Sequence, residues 1–227
     1  MTSPIFGPPQ SWPTNQDAIC TTPEFDAELT IEAYHAGLFP MPITPLKDVE
    51  GVTWWSPRLR GVLPLSRLRV TRSMRKSAKR YRTSVDQAFS AVVAACADPA
   101  RTGGWIDDQI TAVYQELHAD GIAHSIECWD SADRLVGGLY GVSFGGLFAG
   151  ESMFHDADLG RDASKVALMR LVGILSDEYA DSRLIDVQWL TPHLASLGAI
   201  TVPREAYLLS LRYLLAVPAP DWTGQRH

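Results

Sequence analysis

The chain has 227 residues, of which 46% are apolar and 20% are charged, and its formal net charge is −6. This composition is typical of a globular protein with one large domain, or with a domain and a smaller appendage. No apolar run approaches the ~18 residues that a membrane-spanning helix needs, and the first residues lack the basic start and apolar stretch of a signal peptide. We therefore expect a cytoplasmic protein.

Residues 1–62 are rich in proline and aromatic residues, and they contain one predicted helix, from Asp26 to Ala36, which ends at Gly37. Their apolar content is too high for a disordered segment. We predict a small, loop-rich N-terminal domain that packs against a second domain comprising residues 63–227.

A dense basic segment lies near the start of the second domain. Eight of the sixteen residues from Arg67 to Arg82 are Lys or Arg and none is acidic, and a window widened to Arg58 holds ten of the 20 basic residues of the chain. If Thr71 caps a helix, four of these cations recur at i, i+3, i+4 and i+7 and share one stripe. Such a cluster on an acidic protein indicates a polyanion partner, with nucleic-acid phosphate as the main candidate and a solvated helix face as the alternative.

The remaining chain shows regular helix and strand patterns. Helices are predicted from Val85 to Cys96, Asp107 to Ala119, Ser164 to Tyr179 and Thr191 to Gly198. Strands are predicted at residues 122–129, 134–144, 146–154 and 183–190, and hairpin turns join the first three. This order predicts an α+β fold, in which helices pack on a strand meander and one later strand is inserted into the sheet.

Three polar residues fall within two of the predicted strands. In LIDVQWL the two-residue period of a strand places Asp186 and Gln188 on one face, and Glu151 lies near the end of a hairpin strand in GESMF. Buried polar groups cost free energy unless they are paired. These residues therefore form either a structural network or a cleft that binds an amine.

Several common sequence motifs for nucleotide binding, metal binding and nucleophilic catalysis are missing from the sequence. It has no Walker phosphate loop, no GxGxxG after a strand, no HExxH and no GxSxG. Cys20, Cys96 and Cys128 are far apart without a CxxC spacing, and we interpret them as small buried hydrophobic residues. We predict neither a cofactor nor a metal site, so an enzyme with this sequence would use a substrate that arrives already activated.

Nine sequence blocks carry a resemblance to a known family. They are GLFP, WWSPRLRGVLPL, GGWIDDQI, HSIECW, LVGGLYGV, GESMF, ASKVAL, IDVQ and HLASLGA, in the order found in the leucyl/phenylalanyl-tRNA–protein transferase family. The resemblance extends from Gly37 to Tyr213. It implies an enzyme that moves Leu or Phe from charged tRNA to the α-amine of proteins with N-terminal Arg or Lys, which marks them for degradation. The implied fold is a small N-terminal domain followed by a domain similar to the acyl-CoA N-acetyltransferase (GNAT-like) fold.

The resemblance also implies the catalytic residues. Asp186 and Gln188 are the implied catalytic pair. We expect the Gln188 carbonyl to accept a hydrogen bond from the amine, while the Asp186 carboxylate stabilises the developing positive charge. Glu151 is implied to hold the basic N-terminal residue of the acceptor.

Binding residues are implied in the same way. The implied substrate pocket contains Ser152, Met153 and Phe154 beside the helix of residues 163–175. Trp54, Trp55 and Trp105 are candidates for stacking on the terminal adenine, with ordinary core aromatics as the alternative. The implied tRNA contacts, made to phosphates and independent of base sequence, are Arg72, Arg75, Lys76, Lys79 and Arg80.

Three features depart from the family pattern. Met41 stands where the family usually has Trp, AICTTPEFDAEL replaces a glycine-rich segment, and residues 155–162 form a longer segment than expected. Because of these departures, a related transferase that acts on a different, small-molecule amine is an alternative function. An acyl-CoA N-acetyltransferase would need a pyrophosphate-binding loop that the sequence lacks, and a non-catalytic tRNA-binding protein would not need the three polar strand residues.

Overall fold

The computed structural model describes residues 5–43, 51–101 and 104–223; the remaining parts of the two predicted domains lie outside the described residues. The described N-terminal residues form an antiparallel sheet in the order β1-β3-β2, together with one helix. Its elements are β1 (Ala18–Thr22), α1 (Ala27–Ala36), β2 (Phe39–Pro42) and β3 (Val52–Trp55). The three strands were not predicted, because strands of four or five residues give little periodic signal in a sequence.

Helix α1 begins and ends where its capping residues predict. The Asp26 side chain accepts a hydrogen bond from the Leu29 backbone N–H at 2.7 Å, which satisfies one of the free donors at the helix start. Gly37 follows the last turn with φ of 90°, a left-handed conformation that costs glycine little. The helix thereby delivers the chain directly into β2.

A second, larger sheet forms the body of the described residues. Its strand order is β10-β4-β9-β8-β7-β6-β5, and every neighbouring pair is antiparallel except β8 and β9. The strands are β4 (Leu59–Pro64), β5 (Arg82–Val85), β6 (Ala123–Trp129), β7 (Leu135–Phe144), β8 (Leu147–His155), β9 (Leu184–Gln188) and β10 (Ile200–Pro203). The predicted meander of β6, β7 and β8 and the later strand β9 are confirmed.

Helices cover both faces of this sheet and give a mixed α/β structure. On one face α3 (Phe89–Cys96) and α4 (Asp108–Ala119) share a core with α1; on the other lie α2 (Arg72–Ala78) and α5 (Ala163–Leu175). The last two helices are α6 (Pro192–Leu197) and α7 (Arg204–Leu214), and α7 packs on β4 and β10. Within residues 5–43, 51–101 and 104–223, no helix is long and apolar enough to span a membrane.

Several predicted boundaries need correction. The helix predicted from Val85 starts later, because Val85 ends β5 opposite Ile126 and Asp86, with φ of 58°, interrupts the chain before α3. The helix predicted to reach Tyr179 ends at Leu175. Strands β4, β5 and β10 and helix α7 were not predicted. Strand β4 crosses the boundary predicted between residues 62 and 63, and the division into two domains stays a prediction.

The two parallel strands separate halfway along their length. Strands β8 and β9 pair at Leu147 with Leu184, at Phe148 with Ile185 and at Ala149 with Asp186. Beyond Ala149, β8 continues to His155 while pairing with β7, and β9 ends at Gln188. The gap between the separated strands holds the polar residues that the sequence singled out.

Candidate active site

An apolar cavity of about 210 Å³ lies between the separated halves of β8 and β9. Its walls come from four strands and two helices, and its apolar lining includes Leu63, Leu139, Phe148, Met153, Leu168, Leu171, Ile185, Val187 and Leu194. Glu151 and Gln188 contribute polar groups to the lining, as do Ser152, Thr191 and His193. An apolar pocket with a few converging polar groups is the usual form of a small-molecule site.

A bulge in β8 presents Glu151. Ser152 pairs with Tyr140 and Gly150 pairs with Gly141, so Glu151 is an extra residue without a partner on β7. Such bulges redirect a side chain and are frequent beside active sites. The bulge turns Glu151 toward both the cavity and the helices on the α1 and α4 face.

Two buried tyrosines hold the Glu151 carboxyl group. The Tyr34 hydroxyl donates to Oε1 at 2.7 Å, and the Tyr114 hydroxyl donates to Oε2 at 3.0 Å. Burial raises the pKa of Glu151 to about 7, although the two tyrosine hydrogen bonds lower it. The carboxyl group therefore titrates near neutral pH, which is unusual outside functional sites.

Asp186 lies behind the cavity in a buried ion pair with Arg60. The Arg60 guanidinium donates from Nε and Nη2 to Asp186, at distances of 2.9 and 2.6 Å, and both side chains are at most 1% exposed. The Tyr207 hydroxyl donates to Oδ2 at 2.8 Å. Arg60 also donates to the Gly37 carbonyl at 3.1 Å and lies over the Phe39 ring, which ties the N-terminal sheet to the larger one.

Gln188 ends β9 in a conformation that is rare for its residue type, with φ of 55°. Asp186 and Gln188 face Val62 and Gly61 on β4, so Val187 is an extra residue and the simple alternation of a strand fails here. The Gln188 backbone N–H donates to Asp186 Oδ1 at 2.9 Å, and its side-chain Nε2 donates to Glu151 Oε1 at 3.3 Å. Of the two residues, Gln188 lines the cavity, whereas Asp186 lies behind it and is joined to Gln188 through the backbone.

A glycine on β4 allows this arrangement. A Cβ atom at Gly61 would lie 2.8 Å from the carbonyl carbon of Trp189 and 2.9 Å from the Leu190 nitrogen. The chain after Gln188 can therefore pass directly over β4 only because residue 61 has no side chain.

The residues expected to bind substrate divide into two groups. Ser152 and Met153 line the cavity, whereas Phe154 packs in the core on the opposite face of the sheet. Trp54 is fully buried in the N-terminal core and offers no face to a nucleobase, so the core interpretation holds for it. Trp55, Trp105 and Met41 are partly exposed beside the same core.

The basic segment forms helix α2 as its cap predicts. The Thr71 hydroxyl accepts from the Met74 backbone N–H at 3.2 Å, and Met74 is buried. The five predicted tRNA-binding cations are exposed, and none forms an ion pair with another described residue. They are Arg72, Arg75, Lys76, Lys79 and Arg80.

The long segment of residues 155–162 holds α2 in place. Asp162 accepts hydrogen bonds from Ser73 at 2.8 Å and Ser77 at 3.2 Å, and it pairs with Lys165 of α5 at 2.7 Å. The Tyr81 hydroxyl donates to the carbonyl of Arg161 at 2.9 Å. Residues 155–162 therefore contact the basic helix α2 and hold it beside α5, the helix that lines the cavity.

The three cysteines lie apart from this cavity. Cys20, Cys96 and Cys128 are free thiols, and the last two are buried. Across the described parts of the chain, no group of three or more His, Cys, Asp or Glu side chains is placed to hold a metal ion.

Comparison with known proteins identifies the family. Residues 62–212 match the family described as leucyl/phenylalanyl-tRNA protein transferase, and residues 23–58 match its N-terminal domain. The chain belongs to the leucyl/phenylalanyl-tRNA–protein transferase family. It is therefore an aminoacyltransferase, as the ordered sequence blocks predicted.

Individual members of the family support the assignment. A leucyl/phenylalanyl-tRNA–protein transferase from Ruegeria sp. is 47% identical over 211 residues, which cover 88% of this chain and 96% of the relative. Transferases of the same name from Rhizorhabdus wittichii and Shewanella denitrificans are 46% and 43% identical, over 86% and 89% of this chain and 77% and 84% of their own length. Among solved structures, the chain was compared with L-PGS from Bacillus licheniformis, which is not counted as support for the assignment. The two are 10% identical with a TM-score of 0.36, over 75% of this chain and 55% of the other.

Sequence reasoning missed four residues that build this site. Arg60 was counted with the basic segment as a candidate for phosphate binding, although it is 1% exposed and paired with Asp186. Tyr34, Tyr114 and Tyr207 were not singled out. A useful signal for Arg60 was its position in the WWSPRLRGVLPL block, two residues before the apolar run of β4.

Proposed function

We propose that this enzyme transfers Leu or Phe from its charged tRNA to the α-amine of proteins with N-terminal Arg or Lys, in the cytoplasm, and so marks them for degradation. The observation that carries the proposal is the apolar cavity that ends at Glu151 and Gln188. An aliphatic or aromatic side chain fits the walls, and the polar end meets the reacting ester and amine. Membership of the family supports the same substrates.

The cavity is the proposed seat of the Leu or Phe side chain. Leu168 and Leu171 of α5 and Ile185 of β9 line it, and these residues carry no polar atom in their side chains. Burial of apolar surface then supplies affinity without a demand for one shape of side chain. This suits a site that accepts both an aliphatic and an aromatic amino acid.

Helix α2 is the proposed seat of the tRNA acceptor stem. Its cations are exposed and unpaired with described carboxylates, and Asp162 fastens the helix next to α5. Contacts to phosphate provide affinity and register but no base readout, so tRNAs with different sequences bind alike. The cavity-lining helix α5 thereby lies beside the proposed tRNA surface.

The reaction needs little beyond alignment of two substrates. An aminoacyl ester is already activated, and an α-amine with a pKa of ~8 is partly neutral at pH 7. Gln188 Nε2 donates to Glu151, and this fixes the orientation of the side-chain amide. The side-chain carbonyl oxygen of Gln188 is then the group that accepts a hydrogen bond from the attacking amine. We further propose a GNAT-like fold for residues 63–227, which the mixed seven-stranded sheet with helices on both faces supports.

The test is a transfer assay with two peptides that differ only in their first residue, Arg or Ala. Charged tRNA carries labelled Leu or Phe, and we expect label on the Arg peptide alone. Asp186→Asn should reduce the transfer rate, whereas Asp177→Asn should not, because Asp177 pairs with buried Arg183 away from the cavity. Binding of charged tRNA in a gel shift without transfer to either peptide would contradict the proposal and favour a small-molecule amine as acceptor.

A further inference from the structure

The hydrogen-bond acceptor positions of the Asp186 carboxylate are all occupied, so it cannot also bind an incoming amine. Oδ1 accepts from Arg60 Nε and from the Gln188 backbone N–H, and Oδ2 accepts from Arg60 Nη2 and the Tyr207 hydroxyl. A carboxylate offers about four lone-pair sites, so these four donors satisfy it. The guanidinium also neutralises its charge. Asp186 therefore positions Gln188 through the backbone and stays away from the reacting atoms.

Glu151 has the opposite environment. Its hydrogen-bond partners are two tyrosine hydroxyls and the Gln188 amide, all of them neutral. The titratable and charged groups that face it are Tyr34 of α1, Tyr114 of α4, Tyr140 of β7, Asp186 of β9 and Arg60 of β4, and His193 of α6 lines the same cavity. The charges of Asp186 and Arg60 act on Glu151 in opposite directions, since Asp186 raises its pKa and Arg60 lowers it.

The hydrogen bonds around Glu151 require one more hydrogen than the two tyrosine hydroxyls supply. Three short contacts join the Tyr34 hydroxyl, the Tyr114 hydroxyl and the carboxyl group, and the two hydroxyl oxygens are 2.6 Å apart. Two hydroxyl hydrogens cannot fill three contacts. When Glu151 is ionised, both hydroxyls donate to it and no hydrogen remains for the contact between the two hydroxyl oxygens. When Glu151 is protonated, Oε2 donates to Tyr114 instead, and the Tyr114 hydrogen is then available for Tyr34. The site is thus built to store and release a proton.

We propose, on the basis of the function proposed above, that Glu151 is the catalytic base that takes the proton from the attacking α-amine while Gln188 holds that amine. Glu151 lines the cavity beside the place where the ester carbonyl would lie. Its pKa of about 7 leaves it partly ionised at neutral pH, which is the condition for efficient proton transfer. Asp186 and Arg60 act as positioning residues.

The proton balance of the reaction is complete with Glu151 alone. The neutral α-amine attacks the ester carbonyl carbon, a C–N bond forms, and the nitrogen proton passes to the Glu151 carboxylate. The C–O bond to the ribose of the terminal adenosine then breaks. Glu151 returns the proton to that ribose oxygen, which leaves as a hydroxyl group, and the carboxylate is regenerated. No oxidant, reductant or further reactant is needed.

The pH dependence of peptide transfer tests this proposal. In the wild type, both the α-amine, with a pKa of ~8, and Glu151 must lose a proton. A plot of log kcat/KM for the Arg peptide against pH should therefore approach a slope of two below about pH 6. Glu151→Gln should reduce this slope to one and lower kcat by at least about 100-fold at pH 8.

A second buried glutamate provides the matched control. Glu127 of β6 is 0% exposed and accepts hydrogen bonds from Ser84 and Ser125, but it does not line the cavity. Glu127→Gln should retain the slope of two. If Glu151→Gln does not fold, Tyr34→Phe replaces it as the test variant. Loss of one hydrogen-bond donor raises the pKa of Glu151, so the rising part of the plot of log kcat/KM against pH should move to higher pH.

The alternatives give different results. The proposal would be overturned if Glu151→Gln retained the slope of two, or if Tyr34→Phe left the rising part of the pH profile at the wild-type pH. So would a raised KM for the Arg peptide with kcat unchanged, because Glu151 would then only bind the basic side chain. A wild type that transfers to no peptide would instead overturn the proposed function, and the base with it.

Discussion

Arg60 and Asp186 are 126 residues apart in the sequence and form a fully buried ion pair, with Arg60 Nη2 2.6 Å from Asp186 Oδ2. The pair joins β4 to β9, and Asp186 also accepts a hydrogen bond from the Gln188 backbone N–H. Its guanidinium also lies over the rings of Phe39 and Tyr207, at 4.7 and 4.6 Å from the ring centres. The N-terminal sheet, the larger sheet and α7 therefore share one buried charge pair.

Loss of Arg60 should destabilise the fold strongly. Arg60→Met leaves the Asp186 carboxylate buried without a counter-charge, so we expect the free energy of unfolding to fall by about 3–5 kcal/mol. Urea denaturation at pH 7 measures this change. The control is Arg58→Met, because Arg58 pairs with Asp17 while its side chain is 57% exposed, and such pairs contribute about 0–1 kcal/mol. Equal losses in both variants would contradict a special role for the buried pair.

Protonation of Glu151 should make stability depend on pH. Its folded-state pKa is about 7 against an ordinary value of 4.5, so between these values the folded protein binds more protons than the unfolded chain. The free energy of unfolding therefore falls as pH rises through this window. Relative to Glu151→Gln, the wild type should lose about 1–3 kcal/mol between pH 5 and pH 8. Denaturant titrations of both proteins at the two pH values measure the difference, and a constant difference would disprove it.

Binding of tRNA should depend on salt through α2. If the five exposed cations neutralise about five phosphates, log K should fall with log salt at a slope of about −3.5 to −4.5. Arg75→Gln should make that slope shallower by about 0.7–0.9. Arg134→Gln is the control, since Arg134 is exposed but already pairs with Asp130 at 2.6 Å. Filter binding at several salt concentrations gives the slopes, and equal slopes for the two variants would argue against α2.

A narrower cavity should change the choice of amino acid. Leu171 is 1% exposed and lines the cavity from α5, so Leu171→Phe fills space that the larger Phe substrate needs more than Leu does. We expect kcat/KM for Phe transfer to fall at least about 10-fold relative to Leu transfer, a difference of about 1.4 kcal/mol. Ile174→Phe, at a buried position of the same helix outside the lining, should leave the ratio unchanged. An unchanged ratio in Leu171→Phe would place the amino acid elsewhere.

Local signals in the sequence determined many helix ends and turns. Thr71 and Thr191 cap α2 and α6 as predicted, Asp26 caps α1 at the predicted start of that helix, and Gly37 and Gly198 end helices with positive φ. These features depend on residues within one turn of each other, so a short window contains all the information. The nine ordered motifs likewise identified the family, because each motif is a short run of neighbouring residues.

Non-local pairing decided the elements that the sequence did not reveal. Strand β5 has four residues and forms only opposite β6, and β10 has four residues and forms only opposite β4. Such short segments have no clear period of their own, because their hydrogen bonds are made to residues far along the chain. Arg60 was assigned to the wrong environment for the same reason, since nothing in a run of basic residues shows which of them is buried.

The sequence by itself thus determined the family, the basic helix and the three polar residues Glu151, Asp186 and Gln188. Only the tertiary structure decided their roles. Whether a strand contains an extra residue depends on its partner, and the bulges opposite β7 and β4 turn Glu151 and Gln188 toward the cavity. The pKa of Glu151 and the neutralisation of Asp186 follow from burial and from partners on other elements, because charge and hydrogen bonding act through space and not along the chain.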